Sequence, residues 1–306
     1  MRVPCDQGGL GRVLIGIVVV VASLFGARGA LAEVGANADR VWIPSVALYM
    51  AGLLEDRKAS ADSEVSAFQD GDSISFPWSI GAEAALASPV LGSSKLKPRL
   101  IVHAGGGYVL DGLEPVTTVG DPGNRPTISP RQPNAVSIEN QGSGVQGQAK
   151  PWVLTGGFGT QIEFDVFERR VYLRPSLEWM YRKDTVHALL GAAEDEILDI
   201  NGNCGPCRIL SIDAETEKAY HSLGAGIEAS IDSGRLGGFL VRFFASGQVY
   251  HILGDRKTEF SPVGTWVRTD GAPSTRADPV TEINVRYERD PLHYRFGMGL
   301  QFHWQP

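Results

Sequence analysis

Cys204-Gly-Pro-Cys207 carries the sharpest chemical spacing in this 306-residue chain. C-x-x-C is the spacing of thioredoxin-like redox sites. Such sites need the first thiol at a helix N-terminus, where it is held as thiolate. This pair stands instead in a polar stretch between segments of strand period. The expectation is therefore a local disulfide, formed in an oxidising exported compartment. A metal site would need more ligands than that stretch offers, since His187 and Asp213 lie far along the chain. A second set of reactive groups is spread wider: Glu83, Arg99, His103, Glu163, Asp165, Arg174, Glu178, Arg182, Glu228, Arg242 and Arg295. All of them fall on the polar face of segments whose other face is apolar. Their signs are mixed, so they read as paired charges filling a narrow interior, with an ion path as the sharper alternative.

Nucleophilic catalysis leaves no comparable trace. The histidines are His103, His187, His221, His251, His293 and His303, and none sits in a hydrolase motif. Ser222 follows His221, but neighbours on a strand point to opposite faces. No catalytic residue, cofactor or metal is expected, and the chain reads as a non-enzyme. Net charge is −7, which removes the basic footprint that nucleic acid demands.

The elements that must position these groups have a period of two. Tyr294, Phe296, Met298, Leu300, Phe302 and Trp304 form one face of the C-terminal segment. His293, Arg295, Gly297, Gly299, Gln301 and His303 form the other. A helix could not keep that pattern to one side. The same alternation runs through 99–110, 152–167, 171–182 and 221–232, and more loosely through 76–87 and 237–250. Paired glycines repeat on the polar face at Gly105/Gly107, Gly157/Gly159, Gly224/Gly226 and Gly297/Gly299. No strand–loop–helix unit surrounds them, so nucleotide binding is set aside. On the concave side of a small barrel they leave room for curvature and large neighbours.

Residues 1–32 read as a secretory signal. Arg2 and Arg12 supply a positive n-region before the apolar run Val13–Phe25, and Ala30-Leu31-Ala32 has the small-x-small form of a cleavage site. The run is too short for an ordinary spanning helix. Its removal would deepen the net charge to −9 through loss of Arg2, Arg12, Arg28 and Asp6. Residues 33–40 become a short periplasmic lead, and 41–306 a barrel domain. Connections alternate between tight turns (Glu168-Arg169-Arg170, Asp232-Ser233-Gly234-Arg235, Ser88 to Lys97) and long polar segments (54–73, 111–150, 184–214, 252–281). Short turns on one side and long loops on the other mark a transmembrane barrel. Eight strands follow, over about 41–53, 74–88, 98–110, 151–167, 171–186, 216–231, 235–251 and 291–304. Ten strands are the alternative, with 258–268 and 280–289 as the added pair. A soluble lipocalin-like barrel is the rival fold.

The terminal segment Tyr294-Arg-Phe-Gly-Met-Gly-Leu-Gln-Phe-His-Trp304 looks like the signal read by the barrel-assembly machinery. With it, the chain resembles small Gram-negative outer-membrane β-barrels of the OmpA-like kind. Pro98-Arg-Leu-Ile-Val-His-Ala-Gly-Gly-Gly-Tyr108 and Arg174-Pro-Ser-Leu-Glu-Trp179 are similar to segments of uncharacterised proteobacterial members. The terminal match departs in one respect, since Gln305 and Pro306 follow the last aromatic residue. The resemblance implies an all-β antiparallel barrel in the outer membrane, with lipid and the assembly machinery as partners. It carries no activity across. Long loops point to a structural or surface-contact role, whose partner is unknown. A narrow pore and a lipid-modifying enzyme are the alternatives.

Overall fold

The computed structural model describes residues 38–63, 66–92, 95–110, 117–120, 128–129, 132–136, 142–166, 169–195, 207–268 and 280–304. Eight of its strands make a ring: β1 (Ile43–Ser63), β2 (Trp78–Ala87), β3 (Arg99–Val109), β4 (Gly142–Val166), β5 (Arg169–Asp195), β6 (Cys207–Leu236), β7 (Phe239–Leu253) and β8 (Leu292–Trp304). Each pairs antiparallel with its sequence neighbour in the ring. β1 then closes it: Val46 stands opposite Ala84 of β2 on one edge and Phe302 of β8 on the other. Closure leaves no free edge between β1 and β8, which is what a lipid environment requires of β-structure.

The outer wall is apolar. Phe158 is 60% exposed, Val102 62% and Phe296 52%, and Leu100, Leu177, Leu223 and Ile227 also point away from the interior. Arg174, Glu178, Glu228 and Arg295 are buried inside. A lipocalin-like barrel would reverse that assignment. An all-β antiparallel transmembrane barrel is the fold in which this belt makes sense, with hydrocarbon as the solvent of the outer face. Aromatic pairs stand at its margins: Phe76 with Trp78 and Tyr108 with Trp152 at one end, Phe239 with Trp304 at the other.

The ring count matches the eight-strand expectation, but the wall does not stop at the belt. β5 has 27 residues and β6 has 30, against the roughly ten that a tilted crossing needs. Of residues 54–73, expected as a loop, 54–63 are instead the upper part of β1, and a returning strand, Ser66–Ser75, pairs with it. The strand Val280–Arg289 pairs with β1 over residues 57–63, directly beyond β8. Asp290 and Pro291 separate the two, so this strand continues the position of β8 and does not enlarge the ring. Lys257–Phe260 and Val263–Thr265 pair with it in turn, Val267–Arg268 pairs with β6, and Thr117–Gly120 pairs with β4. A second storey thus rises on the first.

One turn also moves. β6 runs past Asp232-Ser233-Gly234-Arg235 with a bulge between Asp232 and Gly234, and the reversal falls at Gly237-Gly238. Gly237 has φ +57°, a conformation open to glycine without penalty. At the β4–β5 reversal Val166 pairs with Arg169, so Arg169 and Arg170 belong to the strand.

Candidate functional site

β5 reads the interior like a core sample. Its inward residues are Tyr172, Arg174, Glu178, Met180, Arg182, Asp184, Val186, Ala188 and Leu190. They cross four layers in turn: charged, apolar, charged, apolar.

The lower charged layer gathers five strands. His103 faces a carboxylate with each nitrogen, Nδ1 at 3.2 Å from Glu83 and Nε2 at 3.2 Å from Glu178. Arg174 Nη2 lies 3.1 Å from Glu83 and 2.8 Å from Glu228. Gln301 donates to Glu228 at 2.7 Å, and Ser176 donates to Glu178. Arg295 lies 4.9 Å from the Tyr49 ring centre. Gly157 is what lets His103 and Glu178 meet, because a Cβ there would sit 2.7 Å from His103 Nε2. Below this layer Arg99 reaches Asp39 and the Ser88 carbonyl, and Arg242 pairs with Asp232 while lying 3.4 Å over Tyr172. Glu163 is 3.7 Å from Arg170, and Asp165 is exposed beside the β4–β5 reversal. The gap between Arg174, Gln301 and His303 holds about 10 Å³, the space of one water.

Leu53, Val153, Met180 and Tyr250 form the first apolar layer. Above it stands the second charged layer, where Arg182 grips Glu55 with both terminal nitrogens, at 2.9 and 3.1 Å. Its Nε donates to Asp184 at 3.1 Å. Arg57 and Arg289 also close on Glu55, and Arg289 lies 3.5 Å from Asp184. Tyr287 donates to Asp184 at 3.3 Å. The upper apolar layer then fills the second storey with Ala59, Ala61, Val145, Val186, Ala188, Leu190, Leu210, Ile212, Trp266, Ile283, Val285 and Tyr287.

The outside of this storey is polar. Lys150 and Lys183 share Glu217, at 2.8 and 2.7 Å, and hold its carboxyl down to about 2. Glu217 in turn raises Lys183. Lys218 lowers Asp255 through a 2.9 Å contact. Inside, burial pushes the Tyr287 hydroxyl up.

The structure brings Glu83, His103, Arg174, Glu178, Glu228 and Arg295 into one layer, and places Arg182 in another. Arg99, Glu163, Asp165 and Arg242 stand toward the turn end. Cys207 opens β6, but Cys204 lies outside the described residues, and so does the expected pairing. Glu55, Arg57, Asp184, Arg289 and Tyr287 were not foreseen. Their signal was present: Leu53, Glu55, Arg57, Ala59 and Ala61 prolong the alternation of β1 past the point where polar composition suggests a loop. Among the described residues no three potential metal ligands converge.

No protein-family model matches the chain, and no curated protein does. Solved structures similar to it include Ail, the attachment invasion locus protein of Yersinia pestis, at 7% identity and TM-score 0.28, covering 84% of this chain and 97% of that one. The outer membrane protease OmpT from Escherichia coli gives 7% and 0.32, with 86% and 97% covered. A Pseudomonas aeruginosa FadL homologue gives 8% and 0.22, with 85% and 90% covered. At these scores the likenesses carry no argument. The barrel rests on its own closed ring.

Proposed function

We propose that this chain is an integral outer-membrane protein of a Gram-negative bacterium, exported through a cleaved N-terminal signal and assembled through β8. Its work is contact at the cell surface, made by the long segments that the second storey carries. The observation behind this reading is the solid upper core. A storey filled by Leu190, Leu210, Ile212, Trp266 and Ile283 is a rigid pedestal rather than a vestibule. Loops held on a packed scaffold are suited to recognition. The resemblance of the last strand to an assembly signal supports the same location, with lipid as the partner of the belt.

A pore is disfavoured on the same ground. Two apolar layers cross the lumen, and ions do not traverse dry layers without paired charge. Fractionation and planar-bilayer recording test the proposal together. The mature protein should remain with outer membranes through a detergent-free wash and give no reproducible conductance steps. Release into the wash would remove the location, and stepwise conductance would restore the pore.

A further inference from the structure

The whole chain carries a net charge of −7. On the outside of the second storey, five cations sit against carboxylates: Lys150 and Lys183 share Glu217, Lys218 has Asp255, and Lys257 and Arg286 stand at Glu288. The turn end of the barrel runs against this grain. Lys97 and Arg99 are matched there by Asp39, Arg170 by Glu163 and Arg242 by Asp232. Four further cations, Arg40, Lys95, Arg169 and Arg235, are exposed and have no ion pair among the described residues. Asp165, opposite Arg170 in register, is the one described carboxylate at this end without an ion pair. An acidic protein thus ends in a basic rim.

The four spare cations are distributed around the ring. Arg40 precedes β1, Lys95 lies between β2 and β3, Arg169 opens β5, and Arg235 stands just before the β6–β7 reversal. Each has an exposed apolar neighbour: Trp42 near Arg40, Leu96 beside Lys95, Val166 opposite Arg169 in register, and Leu236 beside Arg235. Trp42 is 52% exposed, as open as Phe296 in the belt. Leu236 is 64% exposed and pairs with Phe239, which meets Trp304 at the lower margin of the belt. An apolar side chain next to a cation on a long stem fits a membrane interface, because the first enters hydrocarbon while the second reaches a headgroup. A periplasmic polymer would meet the open face of the rim, where the apolar neighbours gain nothing. Lipid surrounds the ring on every side, as these four pairs do. We propose that the rim binds the phosphates of anionic phospholipids in the periplasmic leaflet, and so fixes the depth at which the barrel sits. This rests on the outer-membrane placement proposed above.

The test uses the protein purified from membranes in detergent and reconstituted into vesicles of phosphatidylcholine and phosphatidylglycerol in equal parts, with bromine on the acyl chains of one lipid or the other. Trp42 is the reporter, its emission taken as the difference between the parent chain and W42F. In low salt, brominated phosphatidylglycerol should quench it at least about twofold more than brominated phosphatidylcholine, and the preference should shrink at about 1 M salt. General attraction cannot imitate this result, since the chain as a whole is acidic. R40Q/K95Q/R169Q/R235Q should insert as the parent does and lose the preference. The half-variants R40Q/K95Q and R169Q/R235Q should each lose part of it. K58Q/K183Q/K218Q/R286Q, on the second storey's exterior, should keep it. Insertion with equal quenching by both lipids would overturn the rim proposal alone, and so would a preference unchanged in the rim variant. Sedimentation with isolated peptidoglycan through these four residues, without lipid preference, would replace lipid by polymer and overturn it as well. Failure to insert into any vesicle would instead overturn the outer-membrane placement.

Discussion

In the belt, β5 turns Leu177 and Trp179 outward and Arg174 and Glu178 inward. In the second storey the same strand turns Lys183 and His187 outward and Val186, Ala188 and Leu190 inward. β1 changes in the same way, from outward Leu48 and Met50 to outward Lys58 and Asp62. Parity never slips. What reverses is the chemistry, because the solvent outside changes from hydrocarbon to water. A continuous strand can therefore be a membrane element and a soluble one in succession, provided that a layer between them accepts both. Glu55 and the four charged residues around it, Arg57, Arg182, Asp184 and Arg289, occupy that level.

The largest test of this contrast removes the junction. Glu55→Gln leaves three guanidiniums around a neutral amide between two dry layers. Loss of about 3–5 kcal/mol is expected, as for breaking a buried pair. Urea unfolding in phospholipid bilayers would measure it. Glu228→Gln, in a layer nearer the turn end and already bonded to Gln301, should cost less. Equal losses would mean that the two charged layers are not distinct environments.

A second test exploits the reversal directly. Phe158→Arg puts a cation in the middle of the belt, where about 2–4 kcal/mol is expected against insertion. Asp62→Arg, at an outward position on the second storey, should stay within about 0.5 kcal/mol of the parent. Should Asp62→Arg prove as damaging as Phe158→Arg, lipid extends over the upper wall and the boundary has been drawn too low.

The belt was legible from sequence because one face of each segment is uniform. Phe296, Met298 and Leu300 alternate with glycine, so residue type and direction agree. The second storey was not, and the reason is physical. Many of its outward residues are polar and several of its inward ones small (Ala59, Ala61, Ala188), so the segments 54–63 and 183–195 resemble loops in composition. Only parity survives there. The inward set was read from the belt alone, which left out Glu55 and Asp184, whose carboxylates face Arg182. Pairing between residues 127 apart, as for Glu55 and Arg182, depends on ring closure and strand length, which alternation does not encode.

Glycine sharpens the contrast on a smaller scale. A Cβ at Gly147 would lie 2.5 Å from the Tyr287 ring inside the upper core. At Gly247, in the belt, the nearest atom would be 4.0 Å away, on Phe296. Gly147→Ala should lose about 1–3 kcal/mol by overpacking, and Gly247→Ala should be close to neutral. Thermal unfolding of the two variants side by side decides whether the upper storey is packed like a protein core.

The smallest effect belongs to the polar exterior. Glu217 is exposed, and its carboxyl falls from an ordinary 4.5 to about 2 because Lys150 and Lys183 both reach it. A carboxylate whose pKa is lower in the folded state binds its proton more weakly there than in the unfolded chain. Its contribution is present above pH 4.5 and disappears as pH falls from 4.5 toward 2. Water and salt screen such a pair, so the contribution is slight. Glu217→Gln should flatten the acid side of the stability profile in low salt and change it less at about 1 M salt, where the Debye length is about 3 Å. The Arg182–Glu55 pair, sealed from solvent, should show no comparable salt response. If added salt weakened both pairs alike, water would be reaching the junction, and the two storeys would not be separated by a dry layer.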